Sequence, residues 1–222
     1  MKAIIIAAGS AKRLGDQTRE LPKGLLDING KSILERQIDL LKNNGINKII
    51  MITGPHKEKF KFKDIQYIED LEYEQHDVLL SLMAAKNEIK GDVITIYSDI
   101  LFDEKILQQI VKSDVDIGVV TDMNWQQKYE NRTEHPKSQA DNVIIENNKV
   151  IQIKKNISTI SERQKNGEFI GIMKFSEKGS EKFVTEYNKI EKNRLSPFHD
   201  SLIFERAYLT DMIQELIDQK IN

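Results

Sequence analysis

Lys2–Ala3–Ile4–Ile5–Ile6–Ala7–Ala8–Gly9–Ser10–Ala11–Lys12–Arg13–Leu14–Gly15, followed by Leu21–Pro22–Lys23, is the stretch whose reading decides the fold. Ile4 to Ile6 form a short β-branched apolar run, the pattern of a strand buried on both faces. Only small residues follow, from Ala7 to Ala11. A backbone without bulky side chains approaches a ligand closely, and its free N–H groups can point at phosphate oxygens. Arg13 and Lys23 supply the cations a polyphosphate needs, one a planar fork and the other a point charge. Strand, small-residue turn and two spaced cations read together as a cradle for a nucleoside triphosphate. The same residues also suit a buried strand with a tight turn and two solvated cations. No Gly-Lys-Ser/Thr closes the turn as in a Walker loop, and the spaced glycines of a dinucleotide fingerprint are missing.

Working outward, 222 residues are the size of one α/β domain and enough to bury a proper core. A formal net charge of −2 gives no global field that would recruit nucleic acid. The absence of cysteine excludes disulfides, thiolate metal sites and cysteine catalysis. The opening apolar run is too short for a signal peptide, and no stretch approaches the length of a membrane span. The expectation is a soluble, cytoplasmic protein with no membrane partner.

After the cradle, strand-like and helix-like patterns alternate. Leu34, Ile38 and Leu41 predict a helix from Ser32, with Gly45 where it stops. Lys48 to Thr53 reads as a buried strand closed by Gly54–Pro55, Ile65 to Ile68 as a shorter one, and Asp92 to Tyr97 as another. Between them Asp77 is placed to cap a helix whose face is Val78, Leu82, Ala85 and Ile89. Asp116 to Asp122 continues as strand. Met123 to Asp141 is a long polar connection, of the kind that is usually functional inside a compact domain. Asn147–Asn148 predicts a hairpin turn between Asn142–Glu146 and Lys149–Ile153. Glu168 to Phe175 reads as strand and Ser176 to Tyr187 as the start of a helix. From Ser201 onward helix is predicted, with Leu209, Met212, Ile213, Leu216 and Ile217 on one face. The alternation predicts an α/β fold: a Rossmann-like, doubly wound, mixed but mainly parallel sheet with helices on both faces.

Ligands of such sheets bind beyond the carboxyl ends of the strands. The cradle, Thr53–Gly54–Pro55 and Asp99 would therefore share one edge. A carboxylate directly after a buried strand suits a hard cation such as Mg²⁺, which takes one or two carboxylates plus phosphate oxygens. Helix capping is the other use for Asp99, although Asp103 can cap that helix itself.

Ala7–Ala8–Gly9–Ser10, Arg13–Leu14 and Pro22–Lys23, with alanine where glycine is usual at position 11, resemble the signature of the sugar-phosphate-type nucleotidyltransferases. Tyr97–Ser98–Asp99–Ile100 resembles that family's metal-binding strand end. The second half carries a narrower resemblance, through Asp122–Met123–Asn124–Trp125, Tyr129, Arg132, His135–Pro136, Ile153–Lys154–Lys155–Asn156 and Gly167–Glu168–Phe169–Ile170–Gly171. It is similar to the cytidylyltransferases that load phosphonates, such as 2-aminoethylphosphonate, onto CMP. The resemblance implies one nucleotidyltransferase domain over residues 1–222, with a nucleotide-binding half at about 1–115 and an acceptor-binding half at about 116–222. It implies CTP as donor, Mg²⁺ on Asp99, and Arg13, Lys23 and Lys155 as the cations of the reaction. It places the base against Ala7, Ala8, Thr53, Gly54, Asp77 and Ser81, although the family often has asparagine near Asp77, where helix capping is an equal use.

The reaction implied needs no enzyme nucleophile, because a phosphate or phosphonate oxygen is already ionised near neutral pH. Catalysis is then charge neutralisation and alignment of two polyanions. On the acceptor side, Lys155 and Arg132 would meet the phosphonate. Glu168, Asp122 or Asp141 would meet an ammonium by charge, and Trp125 or Tyr129 by cation–π contact. Trp125 equally suits an anchor for the long loop, Arg132 a partner for a nearby glutamate, and His135 a turn residue before proline. The family also has a second metal-binding aspartate on a strand after the last helix. The sequence reaches Ile221–Asn222 before such a stretch, so either it is a piece of a longer chain, or the second carboxylate comes from elsewhere, Asp200 being conceivable, or the metal site is incomplete. Phosphocholine or sugar-1-phosphate nucleotidyltransferases are the rival enzymes, and a catalytically silent nucleotide-binding subunit is the rival of another class. The apolar face after Ser201 packs on the sheet or makes a homodimer.

Overall fold

The computed structural model describes residues 1–9, 21–130, 132, 136–157, 161–194 and 196–221. Among the described residues ten strands form: β1 Lys2–Ala7, β2 Asp27–Ile28, β3 Lys31–Ser32, β4 Ile49–Thr53, β5 Ile65–Glu69, β6 Val93–Tyr97, β7 Ile117–Asp122, β8 Asp141–Glu146, β9 Lys149–Lys155 and β10 Lys165–Phe175. The α-helices are α1 Ile33–Asn43, α2 Val78–Met83, α3 Glu104–Lys112, α4 Glu177–Asn193 and α5 Leu209–Asp218. β2 and β3 make a small ribbon, and the other strands join in one sheet of order β5-β4-β1-β6-β10-β8-β9, with β7 also paired to β10. β5, β4, β1 and β6 run parallel, while every pairing of β10 and the β8–β9 hairpin is antiparallel. The doubly wound, mixed sheet expected from the alternation is present.

β1 is central because Ala3 to Ala7 have no polar face to show. Ile4 and Ile6 pack on one side with α2, α4 and α5, through Leu79, Leu82, Phe183 and Met212. Ala3, Ile5 and Ala7 pack on the other with α1 and α3, through Leu34, Leu41, Leu107 and Ile110. Ile4 and Ile5 are fully buried, and each such side chain contributes about 1.5–3 kcal/mol.

The helix starts follow local rules in three cases. Ser32 and Glu35 form a reciprocal capping box on α1, Asp103 Oδ1 accepts the Ile106 N–H at 3.0 Å on α3, and Ser176 Oγ accepts the Gly179 N–H at 3.0 Å on α4. The capping role read for Asp77 is corrected. It occupies the N-cap position of α2, but its side chain makes no capping bond and lies 3.9 Å from the Arg206 guanidinium. The helix expected from Ser201 begins only at Leu209. Ser201 to Tyr208 is instead a turn with a short 3₁₀ segment, Phe204–Arg206, because a buried aspartate draws its polar groups together. Asp211 accepts the Asp200 N–H at 3.0 Å, the Ser201 hydroxyl at 2.7 Å and the Tyr208 N–H at 2.7 Å. The apolar face of α5 covers β9 and the core rather than solvent.

The connection after β7 is compact where it is described. Trp125 and Tyr129 are buried with Ala140 in a small cluster of their own. Among the described residues no helix is long and apolar enough to cross a membrane.

Replacing Asp211 by Ala should strand three donors, the buried Ser201 hydroxyl among them, and destabilise the protein by about 3 kcal/mol. Urea unfolding would show this as a lower midpoint at unchanged slope.

Candidate active site

The carboxyl ends of β1 and β6 open onto a cleft of about 710 Å³. Its floor is the small-residue turn Ala7–Ala8–Gly9, which leaves the backbone bare. Gly54 presses on this turn from the end of β4. A Cβ added there would stand 2.4 Å from the Ala8 carbonyl oxygen, so only glycine permits the approach. Lys23 enters from one side and its Nζ lies 3.3 Å from Asp99 Oδ2, just beyond the end of β6. Asp99 keeps two-fifths of its side chain exposed, and Asp103 does the capping of α3.

Strand pairing brings the second half of the chain to the same opening. Asp141 on β8 sits opposite Lys155 on β9, and Glu168 on β10 sits between Asp122 of β7 and Asn142 of β8. Asp141, Lys155 and Glu168 line the cleft together with the rings of Tyr97 and Tyr208. Lys155 Nζ lies 4.0 Å from the centre of the Tyr208 ring, and its backbone N–H donates to Asp200 Oδ2 at 3.2 Å. The wall thus alternates cation, carboxylate and aromatic face, which suits a ligand carrying charge of both signs.

The electrostatics follow from burial. Burial, opposed by Lys155 and reinforced by Glu168, Asp211 and Asp200, raises the Asp141 carboxyl from 3.8 to about 6. Its Oδ1 is buried without a hydrogen-bond partner among the described residues. Burial, with Asp141 and Asp99 nearby, pushes the Tyr97 phenol well up. Burial raises Tyr129 as well, and its hydroxyl donates to Glu168. Against the burial that would raise it, the Lys128 ammonium at 2.5 Å and the Asn124 N–H hold Asp122 low.

Of the residues singled out in the sequence, Ala7, Ala8, Gly9, Lys23, Asp77, Ser81, Asp99, Lys155 and Glu168 meet in this cleft. Ser10, Arg13 and His135 lie outside the described residues. Thr53 and Gly54 stand behind the floor rather than in it: Thr53 is 2% exposed and its carbonyl accepts the Asp70 N–H at 2.8 Å. Asp122, Tyr129 and Arg132 line a neighbouring cleft of about 900 Å³, which shares Tyr97, Asp99, Asp141 and Glu168 with the first. Arg132 lies over the Tyr129 ring at 4.8 Å. Trp125 lines neither cleft. It is 2% exposed, donates from Nε1 to the Asn166 carbonyl at 3.4 Å and anchors the loop. Its reading as an acceptor face is therefore corrected. Asp200 lines neither cleft and contacts Lys155 through the backbone. Sequence reasoning did not single out Tyr97 or Tyr208 as cleft side chains. Tyr97 ends a predicted buried strand, and Tyr208 fell inside a predicted helix, so neither carried a local signal.

The MobA-like NTP transferase domain matches residues 3–135. Over its whole length the chain is 27% identical to the CTP:phosphoglutamine cytidylyltransferase of Campylobacter jejuni, covering 90% of that protein. Over 51% of its length it is 34% identical to the choline-phosphate cytidylyltransferase of Streptococcus pneumoniae, and this match spans about half (51%) of that enzyme. The solved CTP:phosphocholine cytidylyltransferase from Streptococcus pneumoniae superposes on 98% of the chain and 86% of its own, with TM-score 0.71 at 24% identity, a likeness of fold. A matching domain over more than half of the chain, set on this sheet and this cleft, makes the chain a member of the MobA-like NTP transferase family of nucleotidyltransferases.

Proposed function

We propose that this chain is a CTP-dependent cytidylyltransferase that transfers CMP to a small phosphonate or phosphate with a cationic end, 2-aminoethylphosphonate being the type acceptor. The printed activities of the Campylobacter and pneumococcal relatives support the donor and the phosphorylated class of acceptor. The observation that carries the acceptor reading is the cleft wall: Lys155 faces Asp141 across a strand pair, with Glu168 beside them. Lys155 draws the phosphonate. The partnerless Asp141 oxygen and Glu168 receive the ammonium.

In this reading the triphosphate lies over Ala7, Ala8, Gly9 and Lys23. The base lies toward Asp77 and Ser81. An acceptor oxygen forms a bond to the α-phosphorus as the bond to the pyrophosphate oxygen breaks. The side chains neutralise charge and hold the line of attack, and none forms a covalent intermediate. A divalent metal such as Mg²⁺ would be held by Asp99 with phosphate oxygens. Among the described residues no three His, Cys, Asp or Glu stand close enough to hold one alone, which fits a metal shared with the nucleotide. When bound it supplies charge neutralisation at the phosphates. A second reading, phosphocholine as acceptor, is favoured by the rings of Tyr73, Tyr97 and Tyr208 in the cleft.

Pyrophosphate release over CTP, UTP, ATP and GTP against 2-aminoethylphosphonate, phosphocholine, phosphoglutamine and glucose-1-phosphate tests this directly. CTP with 2-aminoethylphosphonate should give the highest rate. A clear preference for phosphocholine selects the second reading, and no release with any pair refutes both. Asp99→Ala should abolish Mg²⁺-dependent turnover while the thermal melt stays cooperative.

Asp141 makes the reading sensitive to pH. Its carboxyl is neutral at pH 5 and ionised above about 6, so the KM for 2-aminoethylphosphonate should fall as pH rises from 5 to 7. Asp141→Asn should flatten that dependence. Stability moves oppositely: between pH 4 and 6 the folded chain holds a proton the unfolded chain has released, so stability falls as pH rises through that window. At pH 8 Asp141→Asn should therefore be more stable than the parent by up to about 3 kcal/mol, with no such gain below pH 4. Melts at the two pH values measure the difference.

A further inference from the structure

Behind the cleft floor sits a buried carboxylate that the scheme above does not use. Asp70 follows β5 directly and is 3% exposed. Its N–H donates to the Thr53 carbonyl at 2.8 Å, which fixes it beside the end of β4. Its side chain takes three donors. The Ser81 hydroxyl reaches Oδ2 at 2.8 Å, His76 Nε2 reaches Oδ1 at 3.0 Å, and the Glu72 N–H reaches Oδ1 at 3.2 Å. An ionised carboxylate is an acceptor only, and three donors suit it. His76 and Ser81 are 8% and 7% exposed, and both line the cleft. His76 Nδ1 lies 3.3 Å from the Asp77 carbonyl oxygen, so the imidazole ties Asp70 to the start of α2.

The order of these three groups matters. In a nucleophilic triad the histidine stands between serine and aspartate and takes the serine proton. Here the aspartate stands between the other two, so Ser81 has no base and is not an activated nucleophile. Its only proton is committed to Asp70. What the hydroxyl offers the cleft is a lone pair.

We infer that Asp70 sets the base preference of this cleft by holding the Ser81 hydroxyl as a hydrogen-bond acceptor toward the pyrimidine edge. This rests on the reading that places the nucleotide base beside Asp77 and Ser81. Cytosine carries an N4–H₂ donor where uracil, like thymine, carries an O4 acceptor. A fixed lone pair accepts from the first and repels the second. A site built around a committed polar group discriminates strongly, because the wrong partner leaves that group unpaired. Asp70 does not touch the ligand in this scheme. It is a positioning residue acting through Ser81.

Titration calorimetry of the full chain with CTP and with UTP, each with Mg²⁺ and without acceptor, tests the inference apart from the acceptor question. The parent should bind CTP at least about tenfold more tightly than UTP. Ser81→Ala should remove most of that ratio. Asp70→Asn should also shift it toward UTP, because an amide Nδ2 can donate to Ser81 Oγ and release the hydroxyl proton for a uracil O4. The double variant should match Ser81→Ala, whereas a merely structural role for Asp70 would make the two losses add. An undiminished CTP preference in Ser81→Ala overturns the inference and leaves the cytidylyltransferase reading standing. Should Asp70→Asn fail to fold, Ser81→Ala still decides. Failure of the parent to bind either nucleotide overturns both readings.

Discussion

The constraint on which the rest depends is the hydrogen bonding of β10. Its residues 172–175 pair with β6, its residues 165–168 pair with β8, and β7 runs along the opposite edge. One strand therefore belongs both to the sheet that holds the parallel strands and to the hairpin that carries Asp141 and Lys155. Gly171 makes the bend between the two halves possible. It has φ +85°, and a Cβ there would stand 2.3 Å from the Tyr97 ring. The ladder of β10 with β7 shifts register at the same place, between Phe169 and Met173. Without this bend Glu168, Asp141 and Lys155 would not reach the opening above β1 and β6.

Charge in the cleft is arranged rather than abundant. Lys23 with Asp99 and Lys155 with Asp141 are cation–carboxylate couples on opposite sides of the opening, and the chain as a whole is nearly neutral. Each couple is partly shielded from water, so its field acts locally on a bound ligand rather than steering distant anions. The price is a carboxyl at Asp141 that burial raises from 3.8 to about 6. Asp211 and its three donors hold Tyr208 and the Asp200 backbone against β9, which links the start of the last helix to the position of Lys155.

Much of this was legible in the sequence because it is local. Ile4 to Ile6 and the small residues after them declare a buried strand and a bare turn, since side-chain bulk is a property of the residue itself. Leu34, Ile38 and Leu41 after Ser32, and Asn147 with Asn148, likewise mark a helix and a hairpin within a few positions. The helix expected from Ser201 fails for a reason outside that window. Asp211 competes for the backbone groups of the preceding residues and replaces a helical turn with its own hydrogen bonds. Trp125 fails similarly: an indole in a polar loop is equally a ligand platform and an anchor until the packing of Tyr129 and Ala140 against it is known.

Sequence by itself determined the alternation of strand and helix and the bare turn after β1, because each is written in residue type and spacing. Tertiary structure alone decided which charges face one another. Asp141 and Lys155 are brought together by a hairpin register, and Glu168 by a bent strand, while Asp70, His76 and Ser81 converge from a strand end, a loop and a helix. Residues distant in the chain acquire a shared electrostatic environment only when folding removes the water between them.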